Sequence, residues 1–117
     1  MAKEQPLFME SVIAGADLRN DQYHYVTLGT DGKIVESNEA DLPYGILQDK
    51  PNTGQAGNVM RCGVSKVQCA ADSDYADRGG SDDNGLFKVS ATHANAIVIG
   101  EADAANGFAT VSFNCMP

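Results

Sequence analysis

Few side chains in this sequence are of the types that carry out catalysis, and none stands in a catalytic motif. The two histidines are His24, which lies between two tyrosines, and His93, which lies among small residues. A general base must reach a nucleophile or the proton that it removes. Neither histidine adjoins a Gly-x-Ser-x-Gly nucleophile motif. We therefore expect no enzymatic activity.

Residues 72–84 are rich in acids, which raises the question of calcium binding. An EF-hand loop requires oxygen ligands at its first, third and fifth positions and glycine at its sixth. Counting from Asp72, the third position is Asp74, but the fifth is Ala76 and the sixth is Asp77. The EF-hand pattern therefore fails. An irregular calcium site stays open, and a solvated acidic loop is the simpler interpretation.

The cysteines point to free thiols rather than to a metal or disulfide framework. Cys62, Cys69 and Cys115 are odd in number, so they cannot all pair within one chain. Cys62 and Cys69 also lack the short Cys-x2-Cys spacing of a zinc site. The glycines at 54 and 57 precede no Lys-Ser/Thr pair that would complete a phosphate loop. We expect mostly buried thiols in a reducing cytoplasm, no metal ligands and no cofactor.

Composition and charge narrow the class of protein further. The chain has 117 residues, of which 43% are hydrophobic and 21% charged, which is typical of one globular domain. Its 16 acids and 8 basic residues give a formal charge of -8, which argues against nucleic-acid and anionic-membrane partners. No segment approaches the roughly 20 apolar residues of a membrane span. Glu4 and Glu10 argue against a secretory signal.

The distribution of apolar residues predicts strands and no long helix. Glycines interrupt every apolar run, and no window repeats at helical spacing. Asp31-Gly32 and Asn84-Gly85 are typical hairpin turns. Eight runs are predicted as strands: 23–28, 33–36, 44–47, 59–62, 64–69, 86–90, 97–101 and 109–113. We therefore predict an all-β, single-domain barrel or sandwich of about eight short strands.

The same runs supply the predicted core, and residues 70–85 are interpreted as a surface loop. The core residues are Val26, Leu28, Ile34, Ile46, Leu47, Val59, Val64, Val67, Phe87, Val89, Ile97, Ile99, Val111 and Phe113.

Three landmarks recur at a nearly constant offset, which suggests two related β units. The Gly32 turn is followed by the Gly85 turn after 53 positions. Gly45 is followed by Gly100 after 55, and Val59 by Val111 after 52. This repetition is architectural, because neither copy carries a reactive group.

Residues 1–11 are interpreted as an N-terminal arm, and residues 12–117 as the β domain. Pro6 cannot donate to a strand ladder, whereas Leu7, Phe8 and Met9 are too apolar to be left in water. Two accounts stay open for these four residues. They fold back over an open end of their own barrel, or they add a strand to an exposed edge on a partner.

Five segments stand in an order that is more specific than any of them alone. They read VIAGADL, YVTLGTDGKIV, LPYGILQDKPNTGQAGNVMRCGVSKV, SDDNGLFKV and IVIGEADAANGFATVSF. This order, from Val12 to about Phe113, resembles a family of bacteriophage and prophage capsid decoration proteins, also called head cement proteins. The chain departs from the family after Cys69, where DSDYADRGG replaces a shorter Ala-Gly-Asp turn.

The resemblance implies a structural protein of the virion. Such a protein binds the major capsid protein on the outer surface of the assembled head, commonly as a homotrimer, and reinforces it against internal pressure. It would be present in the host cytoplasm during assembly.

The glycine-rich connector 48–58 and its later counterpart 102–107 are predicted docking loops, because glycine allows a partner to approach closely. Within the connector, Asp49, Asn52 and Gln55 are the predicted polar contacts. Two alternatives stay open: a small β-barrel that binds carbohydrate or another surface without catalysis, and a subunit of an enzyme complex.

Overall fold

Nine antiparallel strands make up the secondary structure of the part of the chain that the computed structural model describes, residues 5–89, 94, 96–100 and 107–114. They are β1 (Gln5–Ile13), β2 (Tyr25–Leu28), β3 (Ile34–Glu36), β4 (Gly45–Leu47), β5 (Ala56–Gln68), β6 (Arg78–Ser81), β7 (Phe87–Val89), β8 (Ala96–Gly100) and β9 (Phe108–Asn114). These residues contain no helix long and apolar enough to cross a membrane. The all-β prediction is confirmed.

The strands form one curled sheet whose order is the same in its two halves. The strand order is β3-β2-β4-β5-β9-β8-β6-β7, and β1 also pairs with β5. From either end of this order inward, each half consists of a hairpin, then a single strand, then a central strand. The hairpin β2–β3 thus corresponds to β6–β7, β4 to β8, and β5 to β9. This correspondence agrees with the two related units predicted from the sequence. The predicted match between Gly45 and Gly100 is not equivalent in the structure, since Gly45 begins β4 whereas Gly100 ends β8.

The central strand β5 is longer than predicted, and its two parts pair with different strands. Val59 and Met60 pair with β4, whereas Cys62 to Gln68 pair with β9. Gly63 lies within the second stretch, opposite Phe113, with a φ of 129°, which only glycine adopts easily. The β1–β5 pairing is irregular beside Gly63, where a bulge or bend was predicted. The runs 59–62 and 64–69, predicted as two strands, belong to one strand that ends at Gln68.

A tight turn closes the two halves of the sheet against each other. The turn of the β6–β7 hairpin packs on β2, where the Tyr25 N–H donates to the Gly85 carbonyl at 2.7 Å. Gly85 has a φ of 74°, and a Cβ there would lie 2.8 Å from the Tyr25 carbonyl oxygen. Glycine is therefore required at this position both for its conformation and for the close approach.

The core consists of two clusters on opposite sides of the first half of the sheet. The larger one lies between the halves: Tyr25, Ile46, Met60, Val67, Cys69, Phe87, Ala96, Val98, Ala109, Val111 and Phe113. The smaller one lies on the other face: Ala14, Leu18, Val26, Ile34, Leu47 and Val59. Consecutive residues such as Tyr25 and Val26 are both buried because the sheet is covered on both faces there.

Four residues of the predicted core are exposed instead. In β8 the inward positions are Ala96, Val98 and Gly100, so Ile97 and Ile99 point outward with exposures of 36% and 47%. The prediction followed the alternation of apolar residues and placed Ile97 and Ile99 inward, whereas in the structure the alternate residues Ala96, Val98 and Gly100 point inward. Leu28 and Val89 lie at strand ends with exposures of 44% and 38%.

The other predicted core residues are buried, apart from Val64, which is half-buried.

Strand β6 was missed because its sequence, Arg-Gly-Gly-Ser, has no strand propensity. Its pairing with β7 depends on the absence of a side chain, since a Cβ on Gly79 would lie 2.1 Å from the Lys88 carbonyl oxygen. The predicted surface loop 70–85 is therefore wrong over Arg78–Ser81. Close backbone approach, and not side-chain preference, decides the structure there.

Candidate docking surface

The polar side chains predicted to contact a partner first organise the connector 48–58 itself. The Asp49 carboxylate accepts from the Asn58 N–H at 3.1 and 3.2 Å. Gln55 Oε1 accepts from the Asn52 N–H at 2.8 Å, and Asn52 Oδ1 accepts from the Thr53 N–H at 2.7 Å. Each of the three side chains thus uses an acceptor oxygen to hold the loop in shape.

The connector is also tied to the chain that follows β1. The Ala14 N–H donates to the Gln55 carbonyl at 2.8 Å, and the Gly54 N–H donates to the Ala14 carbonyl at 2.9 Å. The Leu18 N–H donates to the Pro51 carbonyl at 3.0 Å. These bonds fix the connector as an ordered surface and not as a flexible loop.

An open groove of about 500 Å³ lies on this surface. It is lined by Asp49, Lys50, Pro51, Gln55 and Ala56. Pro51 packs closely on Gly57, where a Cβ would lie 2.7 Å from Pro51 Cγ. Two of the three predicted polar contacts therefore border a concave surface.

Strand β1 contains the other predicted contacts, Pro6 to Met9. Its backbone pairs along β5, with Pro6 opposite Gly63 and Met9 opposite Met60. Met9 and Ile13 point outward with exposures of 39% and 41%. Among the described strands β5 is the only ladder partner of β1, so its other edge is an edge of the sheet, to which a further strand can be added.

Two side chains hold β1 in place, one immediately before β4 and one in β5. The Tyr44 hydroxyl donates to the Glu10 carboxylate. The Arg61 guanidinium lies 3.8 Å from the centre of the Tyr44 ring and donates through Nε to the Tyr44 carbonyl at 3.0 Å. This cluster attaches the middle of β1 to β4 and β5.

The structure does not bring the two predicted sets of contacts together. Met9 and Pro6 lie opposite Met60 and Gly63, five and eight residues along β5 from Gln55. At about 3.3 Å per residue these separations are roughly 17 and 26 Å. The connector and the start of β1 are therefore separate parts of the surface.

Most of the predicted arm, residues 5–11, lies in β1, which continues past residue 12 to Ile13. Whether it also contacts another chain stays a prediction, as does the division of the chain at residue 12. His93, Cys115 and most of the second docking loop, residues 102–106, lie outside the described residues.

Sequence reasoning missed a cluster of titratable groups beside the closing turn. His24 Nδ1 lies 3.9 Å from Asp21 Oδ1 and 3.7 Å from Glu36 Oε2. Burial, and then the charge and hydrogen bond of Asp21, raise the pKa of Glu36 to about 7. The only sequence signal was the i, i+3 spacing of Asp21 and His24, because Glu36 is brought in by the β2–β3 hairpin.

Two further buried groups have perturbed chemistry without forming a site. Cys69 is buried, and burial raises the pKa of its thiol, whereas Cys62 is partly exposed. Burial also raises the pKa of Tyr25 far above its usual range. The Tyr25 hydroxyl has no hydrogen-bond partner among the described residues.

A solved phage structure resembles the chain along most of its length. No family model matches the sequence, and no curated protein matches it. The chain is similar to the head fiber gp8.5 N base in bacteriophage phi29, with a TM-score of 0.72 and 14% sequence identity. The two chains share a fold. The match covers 92% of this chain and 94% of the phage chain, so it includes both halves of the sheet.

Proposed function

We propose that this protein is a phage capsid decoration protein, which binds the assembled icosahedral head and stabilises it against internal pressure. The observation that carries the proposal is the fold shared with the phi29 head fiber base over 92% of the chain. The order of the five sequence segments supports the same class independently. The role is one of binding, without catalysis.

The connector surface supports docking because it is ordered before a partner arrives. Its three polar side chains and its bonds to Ala14 and Leu18 hold the groove in one conformation. A preorganised surface loses little conformational entropy on binding. The partner proposed for this surface is the major capsid protein.

The free edge of β1 supports a second contact of a different kind. Its outward side chains Met9 and Ile13 are apolar, and its edge carries backbone groups that can pair with an added strand. We assign this edge to a neighbouring subunit or to the capsid.

Exposed apolar side chains on the outer face of the second half of the sheet support self-association. In the first half, Ala14 and Leu18 cover the outer face, whereas Ile97, Ile99 and Phe108 in the second half are exposed by 36%, 47% and 47%. Exposed apolar side chains of this size mark interaction surfaces when they are grouped. A homotrimer on the outer surface of the virion, assembled in the host cytoplasm, is the arrangement we propose.

Sedimentation of the purified protein with isolated heads tests the docking surfaces separately. The triple variant D49N/N52D/Q55E keeps an acceptor oxygen at each connector position but changes the charge and the donors of the groove. We expect it to fold normally and to lose most of its head binding. The variant N20D is the matched control, because it changes the net charge equally at an exposed position.

The β1 edge is tested by M9K, which places one charge on an apolar strand opposite Met60, away from the connector groove. The control L28K puts a lysine on a similarly exposed side chain, 44% exposed, at the far end of β2. Unchanged head binding by both the connector and the β1 variants would contradict the two assigned surfaces. Failure of the unmodified protein to bind heads would contradict the function itself.

A further inference from the structure

Three side chains from different parts of the chain converge beside the turn that closes the sheet. Asp21 lies in the loop before β2, His24 immediately precedes β2, and Glu36 ends β3. Their side chains are exposed by 15%, 11% and 36%, so the cluster is largely shielded but reachable from solvent. The oxygens of the two carboxylates and the His24 Nδ1 lie within 4.8 Å of one another.

From this geometry we propose that Asp21, His24 and Glu36 bind a divalent transition-metal ion, with the Asn84 carbonyl as a fourth ligand. The imidazole nitrogen favours zinc or a related ion over magnesium, which prefers oxygen ligands alone. The proposal concerns the stability of the domain and does not depend on its binding to heads.

The separations of the four ligand atoms suit a tetrahedral ion. A tetrahedron with bonds of about 2.1 Å has edges of roughly 3.4 Å. Around His24 Nδ1, the corresponding distances are 3.1 Å to the Asn84 carbonyl, 3.7 Å to Glu36 and 3.9 Å to Asp21. Each of these three separations from Nδ1 differs from the tetrahedral edge by about 0.5 Å or less.

The other nitrogen of His24 is held in the way that metal-binding histidines usually are. Nε2 lies 2.8 Å from Gln68 Oε1. If Nε2 carries the proton and donates it to this oxygen, Nδ1 is left with its lone pair directed at Asp21, Glu36 and Asn84. A hydrogen bond from the second ring nitrogen orients a ligating imidazole and selects its tautomer.

The groups that face Nδ1 offer more acceptor oxygens than this nitrogen has protons to donate. The Asn84 carbonyl and the Asp21 and Glu36 carboxylates all present oxygens to Nδ1, and that nitrogen can carry at most one proton. The nearby Asp82 carboxylate adds negative charge and already accepts from the Asn84 and Leu86 N–H groups. A divalent cation satisfies several oxygens at once, which a single proton cannot do.

The position of the site gives the ion a structural effect. Glu36 and His24 belong to the first half of the sheet, whereas Asn84 belongs to the β6–β7 turn of the second half. The absence of a side chain at Gly85 lets this turn approach, since a Cβ there would lie 3.0 Å from Glu36 Cγ and 3.3 Å from His24 Cβ. A bound ion would therefore cross-link the two halves of the sheet at the turn where they meet.

The test is thermal unfolding of the full chain after treatment with chelator, with and without added ZnCl₂. At zinc concentrations a hundred times the dissociation constant, the melting temperature should rise by roughly 10 °C. MgCl₂ should produce no comparable rise. Replacement of zinc by Co²⁺ should give the visible absorption of a tetrahedral cobalt centre.

Matched variants locate the ion. D21N and E36Q should each remove most of the zinc-dependent rise, and E36Q keeps the protein folded because Glu36 is partly exposed. D72N/D74N in the acidic loop and C62S should keep the rise. The proposal is overturned if zinc gives no rise in the unmodified chain, or if the rise survives D21N and E36Q.

Discussion

The unpaired hydroxyl of Tyr25 leads to a prediction that runs against the usual effect of a core substitution. The Tyr25 side chain is fully buried against Phe113, with ring centres 5.7 Å apart. Its hydroxyl has no hydrogen-bond partner among the described residues. Tyr25→Phe removes that hydroxyl and leaves the aromatic packing in place, so we expect it to stabilise the protein.

The magnitude follows from the cost of leaving a buried polar group unpaired. That cost is about 1–3 kcal/mol, and the small void left by the oxygen offsets part of the gain. We therefore expect an increase of about 1 kcal/mol in the free energy of unfolding. For a domain of this size, this corresponds to a rise of about 4 °C in melting temperature.

Tyr44→Phe is the matched control, because it deletes the same atom where the hydroxyl is bonded. The Tyr44 hydroxyl donates to the Glu10 carboxylate, which holds β1 against β4. Loss of a hydrogen bond to a partly exposed charged group should cost about 1 kcal/mol. Urea unfolding of both variants should thus separate them by about 2 kcal/mol with opposite signs. A loss of stability in Tyr25→Phe would refute the reasoning, since it would mean that the hydroxyl is paired.

The remaining predictions concern packing, backbone geometry and thiol reactivity. Ile46→Ala should cost about 2–5 kcal/mol in urea unfolding because Ile46 is fully buried, whereas Ile99→Ala on the outer face should cost less than about 1 kcal/mol; equal losses would contradict the phase assigned to β8. Gly79→Ala should destabilise the protein by more than about 2 kcal/mol, since its Cβ would meet the Lys88 carbonyl at 2.1 Å. Gly32→Asn, at a φ of 78° with open space around it, should lower the free energy of unfolding by only a few tenths of a kcal/mol. Similar effects of the two glycine variants on the melting temperature would refute this argument. Iodoacetamide at neutral pH should label Cys62 before Cys69, because Cys69 is buried and burial raises the pKa of its thiol; mass spectrometry of the native protein would show the reverse order if Cys69 were accessible.

The elements that local chemistry dictates could be predicted from the sequence. The Asp31-Gly32 and Asn84-Gly85 turns both have glycine in the left-handed region, with φ of 78° and 74°. The apolar strands between them follow the predicted order. The similarity of the two units was also visible, because the same turn and strands recur at a nearly constant offset.

The features that were missed depend on contacts distant in sequence. Strand β6 exists because Gly79 lets β7 approach, and no preference of its own residues indicates a strand. The phase of β8 is set by its pairing with β6 and β9, so the large Ile97 and Ile99 side chains could not reveal it. The Asp21, His24 and Glu36 cluster likewise forms only when the β2–β3 hairpin folds back and the second half of the sheet closes over it.

The local role of the predicted connector contacts was not foreseen from the sequence. Asp49, Asn52 and Gln55 were selected as polar groups free to meet a partner. In the structure each also accepts a hydrogen bond from the backbone of its own loop. Substitutions that remove these oxygens would confuse loss of loop structure with loss of binding, and for this reason the proposed variants retain them.

The central claim is that this protein decorates a phage head. The most direct measurement is a cryo-electron microscopy reconstruction of heads purified from the proposed parent phage, with and without added protein. The account predicts additional density on the outer surface, repeated at equivalent capsid positions, into which the two halves of the sheet fit with the connector surface or the β1 edge against the capsid. Heads that show no additional density at saturating protein would contradict it.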